Sequence, residues 1–210
     1  MEIFYTRFDD KPDQKKLNHY LNFLPSSMRA DILKYQSPTD IQGRLFGKLI
    51  LKKIFKNYCN DQDILHQLKY NQYGRPYIPC LNIDFSISHS GEYTTVAMSN
   101  GFQIGIDIEK VKEIAINEFK PMFTESEWKT IVTSTNPLKT FYAYWTKKES
   151  TAKADGRGLN IPLNEIIIKD AISILNKKHW HLYEIDLAPD YMMHISSEQK
   201  EVINIHSITF

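Results

Sequence analysis

Apolar residues recur along this chain with two different periods, and the switch between them separates helices from strands. From Ile41 to Tyr58, Ile41, Leu45, Leu49 and Lys52 stand beside Phe46, Ile50 and Ile54 at steps of three and four. That spacing predicts an amphipathic helix packed by its apolar stripe. Asp84 to Gly91 alternates instead, and Tyr93 to Met98 follows at once, so two adjoining strands with a turn near Gly91 are expected. A further strand is expected over Gln103–Glu109. Helices are predicted for Asn117–Thr133 and Pro137–Ala154, the second stopped by Gly156 and Gly158, because glycine disfavours helix continuation. The remainder reads as strand: Glu165–Leu175, Trp180–Asp186, Tyr191–Ser196 and Glu201–Ile208. Helices and strands in blocks argue for an α+β fold rather than a doubly wound parallel sheet. A boundary fits at Asn100-Gly101, dividing a lobe of residues 1–101 from one of 102–210 and placing the strand after it at their junction.

The composition adds exclusions. With 210 residues, 42% hydrophobic and 24% charged, the chain is long enough to bury a real core. Lys and Arg number 26 against 25 Asp and Glu, so no global field marks a nucleic-acid or membrane-surface binder, and an ionic partner must be met by a local patch. Met1–Arg7 lacks a basic segment followed by an apolar run, and no stretch approaches a membrane span, which makes the cytoplasm the expected location. Cys59 and Cys80 show no metal-ligand spacing and are too few for a secreted disulfide scaffold, so both are expected to be reduced thiols without a role.

Four segments carry chemistry-bearing residues. In Gln103-Ile-Gly-Ile-Asp-Ile-Glu, the three isoleucines share one strand face while Gly105, Asp107 and Glu109 share the other. Two adjacent carboxylates repel unless solvated, protonated or bridged by a cation, and hard oxygen ligands suit Mg²⁺. A half-exposed strand with a solvated polar face gives the same alternation. In Phe141–Lys153, Trp145, Glu149 and Lys153 fall at steps of four; this is either a weak surface ion pair or a third carboxylate beside a lysine, as a metal-bound diphosphate needs. Lys148 adds a second cation about a quarter turn away. Tyr73-Gly-Arg-Pro fixes a turn that presents Arg75, to phosphate or simply to water. Ser88 and His89 are adjacent on a strand and face opposite ways, and no Gly-x-Ser-x-Gly elbow is present, so they form no nucleophilic pair. His89 shares parity with Phe85 and Ile87 and is expected to be partly buried.

Taken in order, Gly74-Arg-Pro-Tyr-Ile-Pro, Phe85-Ser-Ile-Ser-His-Ser-Gly, Ile104-Gly-Ile-Asp-Ile-Glu and Trp145-Thr-Lys-Lys-Glu-Ser-Thr-Ala-Lys resemble the successive signatures of the surfactin-synthetase-type phosphopantetheinyl transferases. The likeness runs from Arg44 through Gly158 and weakens at both ends. It implies a pseudo-twofold monomer of two similar α+β lobes with coenzyme A in the cleft between them. It further implies that Asp107, Glu109 and Glu149 hold Mg²⁺ with the coenzyme's diphosphate and that Lys153 offsets the remaining charge. Arg75, Ser88 and His89 would contact its phosphates, including the 3'-phosphate, with Arg44 and Lys148 as further cations near the coenzyme. Glu127 matches a family glutamate near the site and receives no chemical role. The implied reaction is attack by the serine hydroxyl of an apo acyl or peptidyl carrier protein on the coenzyme's β-phosphorus, releasing 3',5'-ADP, with Glu149 as the best candidate for general base. One departure stands out: many members have two lysines after the proline near the first helix, where this chain reads Pro25-Ser-Ser-Met-Arg-Ala-Asp with Arg29 the only cation. Arg44, Lys48 and Lys52, at helical steps of four, would replace that charge, attract an acidic carrier or form a solvated basic face. The alternatives from other classes are a non-catalytic module that binds coenzyme A or a carrier, and a Mg²⁺-dependent diphosphate hydrolase.

Overall fold

Local signals in the sequence set the ends of the helices. In the computed structural model, which describes residues 1–8, 13–56, 58 and 64–210, the expectation for Cys59 lies outside the described residues. Strand β1 (Glu2–Arg7) leads to α1 (Gln14–Leu21) and α2 (Ser26–Ile32), then to α3 (Pro38–Phe55). The hydroxyl of Ser37 caps α3 by accepting from the Asp40 amide, and Pro38 occupies its first turn, where the missing N–H costs nothing. The short strands β2 (Lys69–Tyr70) and β3 (Pro76–Tyr77) flank the expected turn, in which Gly74 takes a φ of +84° and the Asn71 side chain accepts from the amides of Tyr73 and Arg75. Strands β4 (Asp84–Ser90), β5 (Tyr93–Ser99) and β6 (Ile104–Lys110) follow.

Where one helix was expected over Asn117–Thr133 there are two pieces, a 3-10 segment (Ile116–Met122) and α4 (Glu125–Thr133). Pro121 lies in the first piece, and Thr124 and Glu127 close a reciprocal capping box at the start of the second, so the chain restarts rather than continues. Helix α5 (Pro137–Asp155) is capped by Asn136 and ends on Gly156 at φ +92°. Glu165–Leu175 is likewise a hairpin, β7 (Ile167–Lys169) and β8 (Ile172–Leu175), turned at Asp170 with φ +52°. Strands β9 (Lys178–Glu184), β10 (Tyr191–Ser197) and β11 (Asn204–Ser207) complete the chain. The fold is α+β.

The strands form a four-stranded sheet ordered β11-β1-β5-β4 and a five-stranded sheet ordered β6-β10-β9-β8-β7. β11 pairs parallel with β1, so the end of the chain returns to the sheet in which it began. Helix α3 packs on β4 and β5, and α5 on β6 and β10. The two sheets meet where edge strand β4 faces edge strand β6, and the join is made by side chains. Asp84, Ser86, Ser88 and Ser90, every second residue of β4, accept from the amides of Ile104, Ile106, Ile108 and Lys110 at 2.8, 3.2, 3.3 and 3.0 Å. The alternation in Asp84-Phe-Ser-Ile-Ser-His-Ser thus has a purpose: its short oxygens stand in for the backbone acceptors of a missing neighbour. On the opposite face of β6, Ile104, Ile106 and Ile108 are fully buried in a cluster shared with Ile3 and Ala97 of the first sheet.

Candidate active site

The seam between the sheets builds the floor of the site. With its isoleucines turned inward, β6 points Gly105, Asp107 and Glu109 toward α5. At Gly105 an added Cβ would lie 2.0 Å from the carbonyl oxygen of Ser150 and 2.4 Å from the amide of Ala154, so the helix rests backbone to backbone on the strand. That close approach brings Lys153 over Asp107, with Nζ donating to Oδ1 at 2.7 Å and to the Ser88 hydroxyl at 2.9 Å. Asp107 is only 4% exposed, which excludes the reading of this face as solvated surface. Its Oδ1 also accepts from Ser88, while its buried Oδ2 has no hydrogen-bond partner. Ser90 donates to Glu109 at 2.8 Å.

Above this floor opens a cleft of about 780 Å³, lined from one half of the chain by Arg44, Lys48, Tyr70, Ser88 and His89 and from the other by Asp107, Glu109, Trp145, Glu149 and Lys153. Burial, and then the charge of Asp107, push the carboxyls of both Glu109 and Glu149 up to about 7. Among the described residues no three metal-ligating side chains converge to a finished site. The donor set nonetheless fits a hard divalent cation: three carboxylates share one cleft, two resist ionisation, and the buried Oδ2 of the third lacks a partner. Across the cleft, Arg44 lies 3.7 Å over the ring of Tyr35 and Lys48 donates to the hydroxyl of Tyr70; Lys34 on the same lining is paired with Asp31, which also lines it. The cleft therefore has an acidic floor and a basic, aromatic rim.

His89 packs its ring against α3, where a Cβ on Gly43 would fall 2.4 Å from it. Burial, with the charges of Arg44 and Lys153 adding to it, lowers His89 to about 4, so near neutral pH it is uncharged and able to donate a single ring N–H. The Ser88 hydroxyl donates to Asp107 and accepts from Lys153 and the Ile108 amide, which uses its one proton and both lone pairs. The two residues do face apart.

Three expected cations are elsewhere. Lys148, named with the coenzyme contacts, is fully buried and directed away from the cleft, its Nζ donating to the carbonyls of Leu163 and Ile166 and pairing with Glu127 at 2.8 Å. A position one residue along a helix turns by about a hundred degrees, and that rotation carries Lys148 to the far flank of α5. Glu127 accepts there from the amides of Thr124 and Ile168; its role is to hold Lys148 and cap α4. Arg75 lies just outside the main cleft, its guanidinium engaged by Asp84 at 2.5 Å and by the Ile104 carbonyl. Lys52 donates to the Phe23 carbonyl and does not line the cleft.

Other polar residues behind the floor were not anticipated. His194, paired across the ladder with Asp107, is fully buried with Nδ1 2.7 Å from the Thr146 hydroxyl. Ser150, Thr151, Ser173 and Ser196 bond to one another beneath α5. Only the two-residue alternation of β4 offered a signal in the sequence; the others come together from distant segments.

Comparison with known proteins agrees with this geometry. Residues 103–206 match the family model of the 4'-phosphopantetheinyl transferase superfamily, and residues 10–101 match that of the 4'-phosphopantetheinyl transferase N-terminal region. The 4'-phosphopantetheinyl transferase gsp of Aneurinibacillus migulanus is 31% identical, the alignment covering 100% of this chain and 90% of that protein. The enzyme Sfp of Bacillus subtilis is 28% identical over 80% of this chain and 76% of its own, and ffp of Bacillus subtilis 26% over 96% and 94%. By matches that span it from end to end, and with the motif carboxylates gathered in one cleft, this chain belongs to the 4'-phosphopantetheinyl transferase superfamily.

Proposed function

We propose that this protein transfers the 4'-phosphopantetheine arm of coenzyme A to a serine of an apo acyl or peptidyl carrier protein, with Asp107, Glu109 and Glu149 as the residues that hold Mg²⁺. The observation that carries the reading is Asp107, buried at the cleft floor with one oxygen on Lys153 and the other unpartnered. A bound Mg²⁺ would supply charge neutralisation at the diphosphate oxygens.

The rest falls to the chain's own groups. Arg44 and Lys48 on the rim attract the coenzyme's phosphates, and the rings of Tyr35 and Tyr70 give its adenine end an apolar wall. Arg44 and Lys48 thereby offset the lysines missing after Pro25. Lys153, fixed by Ser88 and Asp107, presents a positive charge where negative charge accumulates on the leaving group. The carrier serine oxygen bonds to phosphorus as the diphosphate bridge breaks. The electron pair leaves with 3',5'-ADP, and the serine proton passes to Glu149 or to a water beside it. We further read the protein as a cytoplasmic monomer of two lobes that uses neither nucleic acid nor membrane; among the described residues no helix is long and apolar enough to cross a membrane.

The test is incubation with coenzyme A, Mg²⁺ and a panel of apo carriers, followed by mass spectrometry of each carrier. Gain of the phosphopantetheine mass with stoichiometric 3',5'-ADP is expected. Free phosphopantetheine species with unmodified carriers would establish a hydrolase, and binding without product a non-catalytic module.

A further inference from the structure

Helix α5 carries Glu149 and Lys153, and its contact with the sheet is unusually polar. Beneath it the Thr151 hydroxyl lies 2.7 Å from Ser173 of β8 and 2.8 Å from Ser196 of β10, and Ser196 is also 2.8 Å from Ser150. All four residues are fully buried. Their protons can be traced. Ser150 and Thr151 both donate to the Lys147 carbonyl, so each has only acceptor capacity left for the sheet. Ser173 therefore donates to Thr151, and the single proton of Ser196 is shared between Ser150 and Thr151. Thr151 is the node at which two strands of the sheet hold the helix.

We infer that Thr151 is a positioning residue for the transfer reaction: its hydroxyl fixes the axial register of α5 on the sheet, and hence the place of Glu149 and Lys153 over Asp107. The physical need arises at Gly105. There the helix lies backbone against backbone on β6, so its axial place depends on the polar contacts around that point; Thr146–His194 and Ser150–Ser196 each tie it to β10 alone, whereas Thr151 ties it to both β8 and β10. Apolar contact is non-directional and resists such a slide poorly, whereas hydrogen bonds of this length constrain both distance and angle. The node is one residue from Ser150 and two from both Glu149 and Lys153, so displacement there is passed to the cleft undiminished through a rigid helix. Ser173 and Ser196 lie on the sheet side of α5 and outside the cleft lining; Ser196 also pairs with Gly105 in the ladder, so Ser173, on β8, is the cleaner probe of an effect carried by the helix.

The inference rests on the proposed transfer activity, and the experiment separates the two. Thr151→Val keeps the shape and removes the hydroxyl; Thr151→Ser keeps the hydroxyl and removes a methyl. Thr151→Val is expected to lower kcat about tenfold to a hundredfold with little change in KM for coenzyme A, whereas Thr151→Ser stays within about twofold of wild type. Ser173→Ala, which removes the donor from β8, is expected to shift kcat in the same direction and serves in place of Thr151→Val should that variant fail to fold. Crystal structures of wild type and variants supply a readout that needs no activity: the Lys153–Asp107 contact, 2.7 Å here, is expected to lengthen in Thr151→Val and to persist in Thr151→Ser. Should wild type modify no carrier, the functional reading fails and this structural comparison alone decides the positioning role. An unchanged kcat in Thr151→Val with only a lower melting temperature, an equal loss in Thr151→Ser, or an unmoved Lys153–Asp107 contact would overturn it.

Discussion

Glu149 shows how much a single environment changes a side chain. On a helix surface its partner four residues on would count for little, but here burial and the charge of Asp107 hold its carboxyl at about 7. The unfolded chain releases the same proton near 4.5. A raised folded-state value means stability that is fully present below about 4.5 and lost as pH climbs through about 7. His89, lowered to about 4, acts in the opposite sense, its contribution present above 6.5 and lost as pH falls. Glu149→Gln leaves His89 and Glu109 in place, so the difference between variant and wild type isolates one carboxyl. In metal-free buffer the variant should gain melting temperature relative to wild type as pH rises from about 4.5 to about 7; parallel curves would remove the argument. The same variant addresses the chemistry. Turnover should fall beyond recovery by saturating Mg²⁺ if Glu149 accepts the serine proton, whereas restoration by excess metal would leave it a ligand only. That Asp107, Glu109 and Glu149 would face one cleft was legible because strand and helix periods fix which way a short side chain leaves the backbone. The partners of Lys148 and Arg75 were not legible because a long side chain's head is set by distant acceptors, the carbonyls of Leu163 and Ile166 for one and Asp84 for the other, which no local pattern encodes.

At the scale of elements, the contact of α5 with β6 matters most, and Gly105 sets it. A methyl group there would meet backbone atoms of Ser150 and Ala154, which cannot swing aside as a side chain does. Gly105→Ala should therefore push the helix off the strand, lowering stability by about 1–3 kcal/mol and breaking the Lys153–Asp107 pair. Chemical denaturation and the transfer assay would check it; a variant that is both stable and active would show that α5 has slack. The long elements, α3, α5 and β4 to β6, could be read from sequence because several turns or alternations repeat the same message. β1, α1 and α2 were missed, being too short for a period to emerge, and their place is fixed by tertiary contact, as where β1 lies between β5 and β11.

Across the whole molecule, Arg75 braces the join between the two sheets. A phosphate ligand would raise KM when removed, but its guanidinium ties the turn between β2 and β3 to β4 through Asp84 and to β6 through the Ile104 carbonyl. Arg75→Ala should cost about 1–3 kcal/mol of stability through the loss of a charged, partly buried hydrogen-bond set, with apparent turnover falling only as the folded fraction falls and KM unchanged. A large KM effect in a fully folded variant would return the residue to the substrate. The seam that Arg75 braces has a consequence for the life of the chain outside the enzyme reaction. β4 and β6 are both edge strands, and each would offer a row of open backbone groups to any passing strand, including those of its own copies. Three serines and one aspartate close that row from within, so the join that shapes the catalytic floor also guards these two of the sheets' four edges against aggregation. A newly made chain stays exposed to that hazard until both of its halves have emerged and met.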